Sequence, residues 1–524
     1  TRMFHYPNSG MIARTGWDEG VTSNAVIAKM DFGEYWFTNH QHKDAGNFTL
    51  YYKGNLAIDS GIYQGIGGEY GEGHDANYNK ATIAHNTLII KDPNVPNAPT
   101  DGGQIGTPVL LKNLDEFIKN PEYKRSVLIS QKYGDDALQP DYSYMKGDLS
   151  DAYKPRTTGF ERSFVFLNLK DEKTPSALIV YDNFTLQNAN AQAKWLLHSI
   201  EEPVLTGNKA VITNTYGDYN GMLINNVVLP SKDNVRLTKI GGPGKEFMVN
   251  GVNYAMEPSY KDSVDALEAG KWRVELSSKN NEKNNKFLNV MQVKEADNSD
   301  PQLPVYYFDN EKMLGITIAD RAVFFSKERG ALDSRLTVSI KGEEGSDYKY
   351  LVTDLKEGYW TVTKDGEQPQ FTWTVGEKEN ALYFSGKPGT YHLSYVSEKI
   401  LPDAPKVASD TVERKSGVIM DGKLVLYSEG LIKENETVFA PLRETFEAMD
   451  AQISWDADTS TALVKKDKLS LAVPAQGNSI RVNDEKITLS ADIRMANNKI
   501  FIPLDLFLNI ADFEYKWDSI AMIA

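Results

Sequence analysis

From about residue 10 to residue 400 the apolar positions fall into short alternating runs, broken by Gly, Asn, Asp and Pro. That pattern predicts antiparallel strands joined by tight turns. In "FTLYYKGNLAIDSG" (48–61), two apolar-rich runs flank Gly54-Asn55, which predicts a two-residue hairpin turn. The runs "ATIAHNTLIIKD" (81–92), "ERSFVFLNL" (161–169), "SALIVYDNFTL" (176–186), "AKWLLHSI" (193–200), "AVITNTY" (210–216) and "MLGITIADRAVFFSK" (313–327) read the same way. Their spacing suits an antiparallel sandwich. Long helical periodicity is missing here, and "SVDALEAGKWRVEL" (263–276) has room for a turn or two of helix.

A polar, Pro-containing stretch, "EKILPDAPKVASDTVERKSG" (398–417), interrupts the pattern and reads as a linker. An internal repeat follows. Phe439, Pro441, Leu442, Asp450, Trp455 and Asp456 recur at a fixed offset as Phe501, Pro503, Leu504, Asp512, Trp517 and Asp518. Each copy predicts a strand, a short helix opening at Pro-Leu, and a strand ending in Trp-Asp. The repeat resembles the copper amine oxidase N-terminal-like domain, an appendage of Gram-positive surface proteins. Residues 417–524 contain no His or Cys, so no copper is expected. A surface or spacer role is the reading there, with direct sugar binding as the lesser alternative. The predicted organisation is a β-sandwich over 1–310, a small β domain over 311–400, a linker over 401–416 and the repeat domain over 417–524. The fold class is therefore mostly β: a large antiparallel sandwich, a small β domain and a C-terminal α+β repeat domain.

The chain has 524 residues, enough for several domains, and its 27 Tyr favour strands. No apolar run reaches about 18 residues, so no membrane span is expected. The opening "TRMFHYPNSG" has no apolar signal core, so either a leader has been removed or the sequence begins inside a longer precursor. The absence of Cys excludes disulfides, thiolate metal sites and Cys nucleophiles. A net charge of −15 argues against general nucleic-acid binding. An acidic substrate would need a locally basic cleft on this background.

Candidate chemistry concentrates in "NHQHKDAGN" (39–47), which holds two of only seven His. In an extended segment, His40 and His42 would share a face and serve two adjacent jobs or one ion. Asp59 closes the second strand of the predicted hairpin. His85 lies inside an apolar run and, if buried, needs a partner for each ring nitrogen. His42, Asp59 and His85 form an ordinary zinc donor set, with a fourth position left over. Their spacing matches no short zinc motif, and a pair of surface histidines remains the plain alternative.

Five segments, "YPNSGMIARTGWD" (6–18), "NHQHKDAGNFTLYYKGNLAIDSGIY" (39–63), "YNKATIAHNTLII" (78–90), "GDLSDAYKPRTTGFERSFVFL" (147–167) and "AKWLLHS" (193–199), resemble the heparinase II/III-like polysaccharide lyases, in that order. The resemblance runs from about residue 6 to 400. It implies one zinc ion, mainly structural, on His42, Asp59 and His85. It places His40 on the catalytic histidine, and Tyr63 and Tyr70 on tyrosines lining the cleft. The implied reaction is abstraction of the proton alpha to a uronate carboxylate, followed by β-elimination at C4. Abstracting that weakly acidic proton needs a positioned base and stabilisation of the developing charge, and an imidazole near neutral pH suits the first role. Zinc on His42 would pin the backbone that carries His40. Arg14 and Asn39 are the candidate substrate contacts; Arg14 could grip a carboxylate or sulfate in a fork, or equally form a structural ion pair.

His198 is read as core packing, Arg162 as structural, and His74 as a solvated loop histidine; His5 and His392 carry no signal. These lyases carry a helical α/α toroid before the sandwich, supplying the tyrosine acid and much of the sugar groove. The expected partner is therefore a toroid chain from the same precursor, alongside an acidic polysaccharide substrate, in a secreted or cell-surface protein of a Gram-positive-like bacterium. The rival reading is a non-catalytic cell-surface carbohydrate-binding protein; a zinc hydrolase is weaker.

Overall fold

The computed structural model describes residues 1–36, 40–63, 73–95, 101–106, 113–136, 138–256, 268–280, 282–407, 416–420, 423–435 and 437–506. It divides into two compact units: residues 1–15, 24–135 and 139–408 form one, and 16–23, 136–138 and 409–524 the other. The protein is mostly β. Among the described residues, no helix is long and apolar enough to cross a membrane.

In the first unit an eight-stranded antiparallel sheet runs in the order Val204–Thr206, Lys209–Asn214, Gly221–Leu229, Asn284–Glu295, Ser176–Leu186, Thr157–Asn168, Tyr142–Asp148, Val127–Tyr133. One face packs on two smaller sheets. The first is five-stranded: Arg2–Phe4, Gly10–Arg14, Ile27–Asp31, Asn47–Tyr51 and Asn55–Ala57. The second is four-stranded: Val235–Gly241, Trp272–Ser278, Gln192–Ser199 and Leu88–Lys91. Strand alternation explains the layering. Along Ser176–Leu186, Leu178, Val180, Phe184 and Leu186 enter the core shared with Met11, Phe48 and Trp195. Ala177, Ile179 and Tyr181 point the other way, against Leu314, Ile316 and Phe325. The strand is therefore buried on both faces and reads as a nearly continuous apolar run. Each fully buried Leu, Ile or Phe stabilises by about 1.5–3 kcal/mol.

That second face is covered by a small two-sheet domain. Its five-stranded sheet (Val305–Asp309, Met313–Ile318, Arg321–Ser326, Tyr348–Thr353, Ala381–Gly386) lies between the eight-stranded sheet and a four-stranded one (Leu336–Ile340, Gly389–Val396, Gly358–Lys364, Trp373–Val375). Charges seal the junction. Buried Lys146 pairs with Glu161 (2.7 Å) and Asp354. Asp141 meets Lys170 (2.7 Å), Lys349 (3.5 Å) and the Tyr383 hydroxyl (3.1 Å). Burial works to raise the Asp141 carboxyl, but the lysines and Arg321 outweigh it and hold it below its ordinary value. Its contribution is thus complete above the unfolded carboxylate pKa, about 4, and is lost as pH falls through the lower folded value. Asp141→Asn is expected to flatten the acid limb of the stability–pH curve, measured by urea unfolding at a series of pH values; an unchanged limb would refute the assignment.

In the second unit, Thr437–Pro441, the helix Leu442–Ala448 and Gln452–Asp456 realise the predicted first repeat. The equivalent second-copy strand, Lys499–Pro503, pairs antiparallel with the first, with Ala440 opposite Ile502. Residues 507–524 of the second copy lie outside the described residues. Gln452–Asp456 opens a five-stranded antiparallel meander ending at Glu485–Thr488, which shares a core of Phe446, Val464, Leu471 and Ile502.

Two local expectations need correction. Residues 81–92 are not one strand: Thr82–Ala84 form a 3₁₀ turn and the strand starts at Leu88. His85 is therefore extended but outside the sheet ladder, free to turn its ring toward residue 42. The hairpin at 48–61 turns at Lys53-Gly54, both at positive φ, rather than at the expected Gly54-Asn55: Asn55 already lies in the strand Asn55–Ala57, opposite Tyr51. Much of 263–276, up to residue 267, lies outside the described residues; its remainder leads into the strand Trp272–Ser278.

Candidate active site

Residues 40–46 form a loop before the strand Asn47–Tyr51, not an extended strand, so simple alternation does not set the directions of His40 and His42. The loop is held at many points. Lys43 N–H donates to Lys80 O (3.0 Å), Thr82 Oγ1 donates to Lys43 O (2.8 Å), and Gln104 bonds both Ala45 N and Ala45 O. Gly46 sits at φ +79°, and a Cβ there would lie 2.5 Å from Leu149. The glycine of the H-x-H-x-D-x-G run is thus required by both backbone and packing. Gly46 O accepts from buried Arg162.

Three potential metal donors converge: the nearest ligand atoms of His42, Asp44 and His85 lie within 4.8 Å of one another. The two imidazole centroids are 5.1 Å apart. His85 is fully buried, its Nδ1 donates to Asp59 Oδ1 (2.9 Å), and its buried Nε2 has no hydrogen-bond partner. An orphaned nitrogen on a buried ring that converges with another imidazole and a carboxylate fits a cation there. The electrostatics agree. Burial, then proximity to His85, lowers His42 from its ordinary imidazole value and favours its neutral form. Burial also works to lower His85, but Asp59 outweighs it and raises the group, so its far nitrogen favours a proton or a metal ion. Crowding by protein works to raise Asp59, yet His85 and the Asn47 amide bring it below its ordinary value; 43% of its side chain still meets solvent.

The structure thus brings together His42 and His85 as expected. It places Asp44 among the converging donors, and Asp59 behind His85, on the opposite ring nitrogen. A carboxylate in that position fixes the tautomer of a ligating histidine. Two asparagines not singled out by sequence reasoning complete the frame. Asn47 bonds Asp59 (2.6 Å) and accepts from Asn86 N; Asn86 donates to Phe48 O and Ile58 O and accepts from His198 N. Their signal was adjacency: Asn47 ends the H-x-H-x-D-x-G-N run and Asn86 follows His85.

His40 stands apart from the donor cluster. It is exposed, and its ring meets that of Tyr63 edge-on at 5.3 Å and 78°. Tyr63 is 45% exposed. Its neighbour Ile62 is anchored through its N–H to His74 Nε2 (3.2 Å). Beside Asp44 opens a cavity of about 470 Å³ lined by Tyr35, Gln41, Lys29 and Asp31, on the outer face of the five-stranded sheet. Arg14 lies at the end of a strand whose Met11 and Ala13 enter the core, which turns Arg14 to that same outer face. Asn39 and Tyr70 lie outside the described residues.

His74 corrects the reading of a solvated loop: it is buried, bonded to Tyr254 O (2.6 Å) and packed against Phe247 and Tyr78. His198 is a core histidine, donating from Nε2 to Ile83 O (2.8 Å). Arg162 is fully buried and grips Asp182 through two parallel bonds (2.6 and 2.9 Å) while bonding Gly46 O and Asn86 O. Arg162→Ala would strand a buried carboxylate and release both site loops. The expected loss is about 3–5 kcal/mol, read from denaturant unfolding; a loss below about 1 kcal/mol would show the pair to be incidental.

Residues 3–242 match the family model "Heparinase II/III-like, C-terminal", and 307–395 match "Heparinase II C-terminal domain". Residues 3–242 and 307–395 are therefore heparinase II/III-like. Residues 419–522 match the copper amine oxidase N-terminal domain. Among solved structures, the chain is similar to the heparan sulfate lyase HepC from Pedobacter heparinus (17% identity, TM-score 0.37, covering 59% of this chain and 39% of that one). It is also similar to a heparinase III (14% identity, TM-score 0.37, covering 60% and 41%). The chain thus spans well under half the length of these structures. Comparison with curated proteins found no match.

Proposed function

We propose that this heparinase II/III-like chain is the β part of a polysaccharide lyase that cleaves a uronate-containing acidic polysaccharide by β-elimination. One observation carries the reading: exposed His40, paired with Tyr63, stands two residues before His42 in a partly buried cluster of donors suited to a cation. A substrate needs an accessible base, and a base needs a fixed backbone; the loop supplies both. In this reading His40 takes the C5 proton of the uronate. The electron pair left at C5 forms the C4=C5 double bond, and the C4–oxygen bond breaks. Tyr63, in edge contact with His40, is placed to orient it or to protonate the leaving oxygen; Tyr70 would line the same cleft. Arg14 and Asn39 would bind the uronate carboxylate or a sulfate.

One zinc ion would be held by His42, His85 and a carboxylate. Asp44 has the convergent position in this structure, and Asp59 orients His85. The ion would supply rigidity to the loop. The groove and a further acid would come from a helical α/α-toroid chain of the same precursor, acting outside the cell.

The test is incubation of the protein, alone and with such a toroid, with heparan sulfate, hyaluronan, chondroitin sulfate, alginate and gellan. Lyase action should raise ultraviolet absorbance as the unsaturated uronate forms. Binding without any absorbance rise would favour a non-catalytic carbohydrate-binding role.

A further inference from the structure

The small domain carries a second candidate site that the loop chemistry does not use. Among the described residues, its edge strand Val305–Asp309 pairs only with Met313–Ile318. Along it, Val305 turns toward the eight-stranded sheet, and Phe308 turns into the small domain's own core, edge-on to Phe324 at 5.5 Å and 82°. Tyr306, of the same parity as Phe308, therefore stands at the open mouth between the two sheets of the small domain, 63% exposed. Facing it across a cavity of about 700 Å³ are Lys341, Gly342 and Glu343 and the ring of Tyr348. The Tyr348 hydroxyl accepts from Glu343 N–H (3.3 Å), which fixes the far wall. Lys341 has no hydrogen bond or ion pair among the described residues.

Single exposed aromatics need no explanation, but a cluster over one cavity does. The volume falls within the roughly 300–1,000 Å³ of small-molecule sites. What the site offers is a broad ring face, a rim of charged and hydroxyl groups, and one free ammonium. A pyranose is complementary to each in turn: an apolar C–H face for the ring, equatorial hydroxyls for Glu343 and the backbone, and a carboxylate or sulfate for Lys341. We infer that the mouth of the small domain is a non-catalytic glycan-binding site that stacks a pyranose of an anionic polysaccharide on Tyr306 and pairs its charge with Lys341. This inference does not rest on the lyase reading, because binding is scored without turnover.

The experiment is affinity electrophoresis of the full chain carrying His40→Ala, through gels containing hyaluronan, heparan sulfate or alginate, with hydroxyethyl cellulose as the uncharged probe. At least one anionic polysaccharide should retard the protein. Adding Tyr306→Ala should weaken that retardation about five- to tenfold, the loss of one aromatic stack. Tyr306→Trp should preserve it, which excludes a folding defect. Lys341→Ala should weaken the anionic interaction and leave any cellulose interaction unchanged. Retardation undiminished by Tyr306→Ala, or no retardation by any anionic polysaccharide, would overturn the inference. The lyase reading would stand or fall separately, on the absorbance assay with His40 intact.

Discussion

His40→Ala is expected to lower turnover on the cleaved polysaccharide by about 10²–10⁴-fold, the usual contribution of a positioned general base. The same variant should keep its thermal midpoint and its metal content. His40 is exposed, and its ring contacts Tyr63 rather than the cluster of His42, Asp44 and His85. Truncating it removes little packing and no converging donor atom. Activity is read by the ultraviolet assay, stability by thermal unfolding and metal by elemental analysis of the same preparation. A collapse of the midpoint would make His40 structural, and undiminished turnover would move the base elsewhere.

The metal centre should dominate local stability. Protein dialysed against zinc is expected to hold about one ion per chain. At a free concentration of about one hundred times Kd, the ion adds about 2.7 kcal/mol to stability, so a chelator should lower the unfolding midpoint. The two carboxylates then separate by role. Asp44→Asn removes a converging donor and should abolish stoichiometric binding. Asp59→Asn leaves the donors in place but frees the His85 ring, and should weaken affinity by about 10–100-fold. The reverse order would put Asp59 on the metal and Asp44 outside it. Folded protein with no zinc after dialysis, and no response to chelator, would remove the metal from the account altogether.

How much of this was legible in the sequence depended on the range of the interaction involved. Strands such as Ser176–Leu186 and the Met313–Ile318/Arg321–Ser326 hairpin were readable because short apolar runs bounded by turn residues are local signals. The grouping of His42 with His85, more than forty residues apart, rested on donor type and on family resemblance; spacing alone could not supply it. The choice between Asp44 and Asp59 was not legible at all. It turns on which ring nitrogen of His85 faces the loop, and that follows from the 3₁₀ turn at Thr82–Ala84 that breaks the apolar run. His74 misled because a glycine-rich neighbourhood looks solvated; Phe247 and Tyr254, remote in sequence, cover it. Tyr306 escaped notice because an exposed tyrosine on a strand looks the same in sequence as a buried one.

The eight-stranded sheet has a further consequence. Since Leu178 and Val180 serve one core while Ile179 and Tyr181 serve another, no face of its middle strands was ever available to water. The large and small β domains therefore depend on each other: parting them would expose Ile179 and Tyr181 on one side and Leu314, Ile316 and Phe325 on the other. The repeat unit packs around a core of its own.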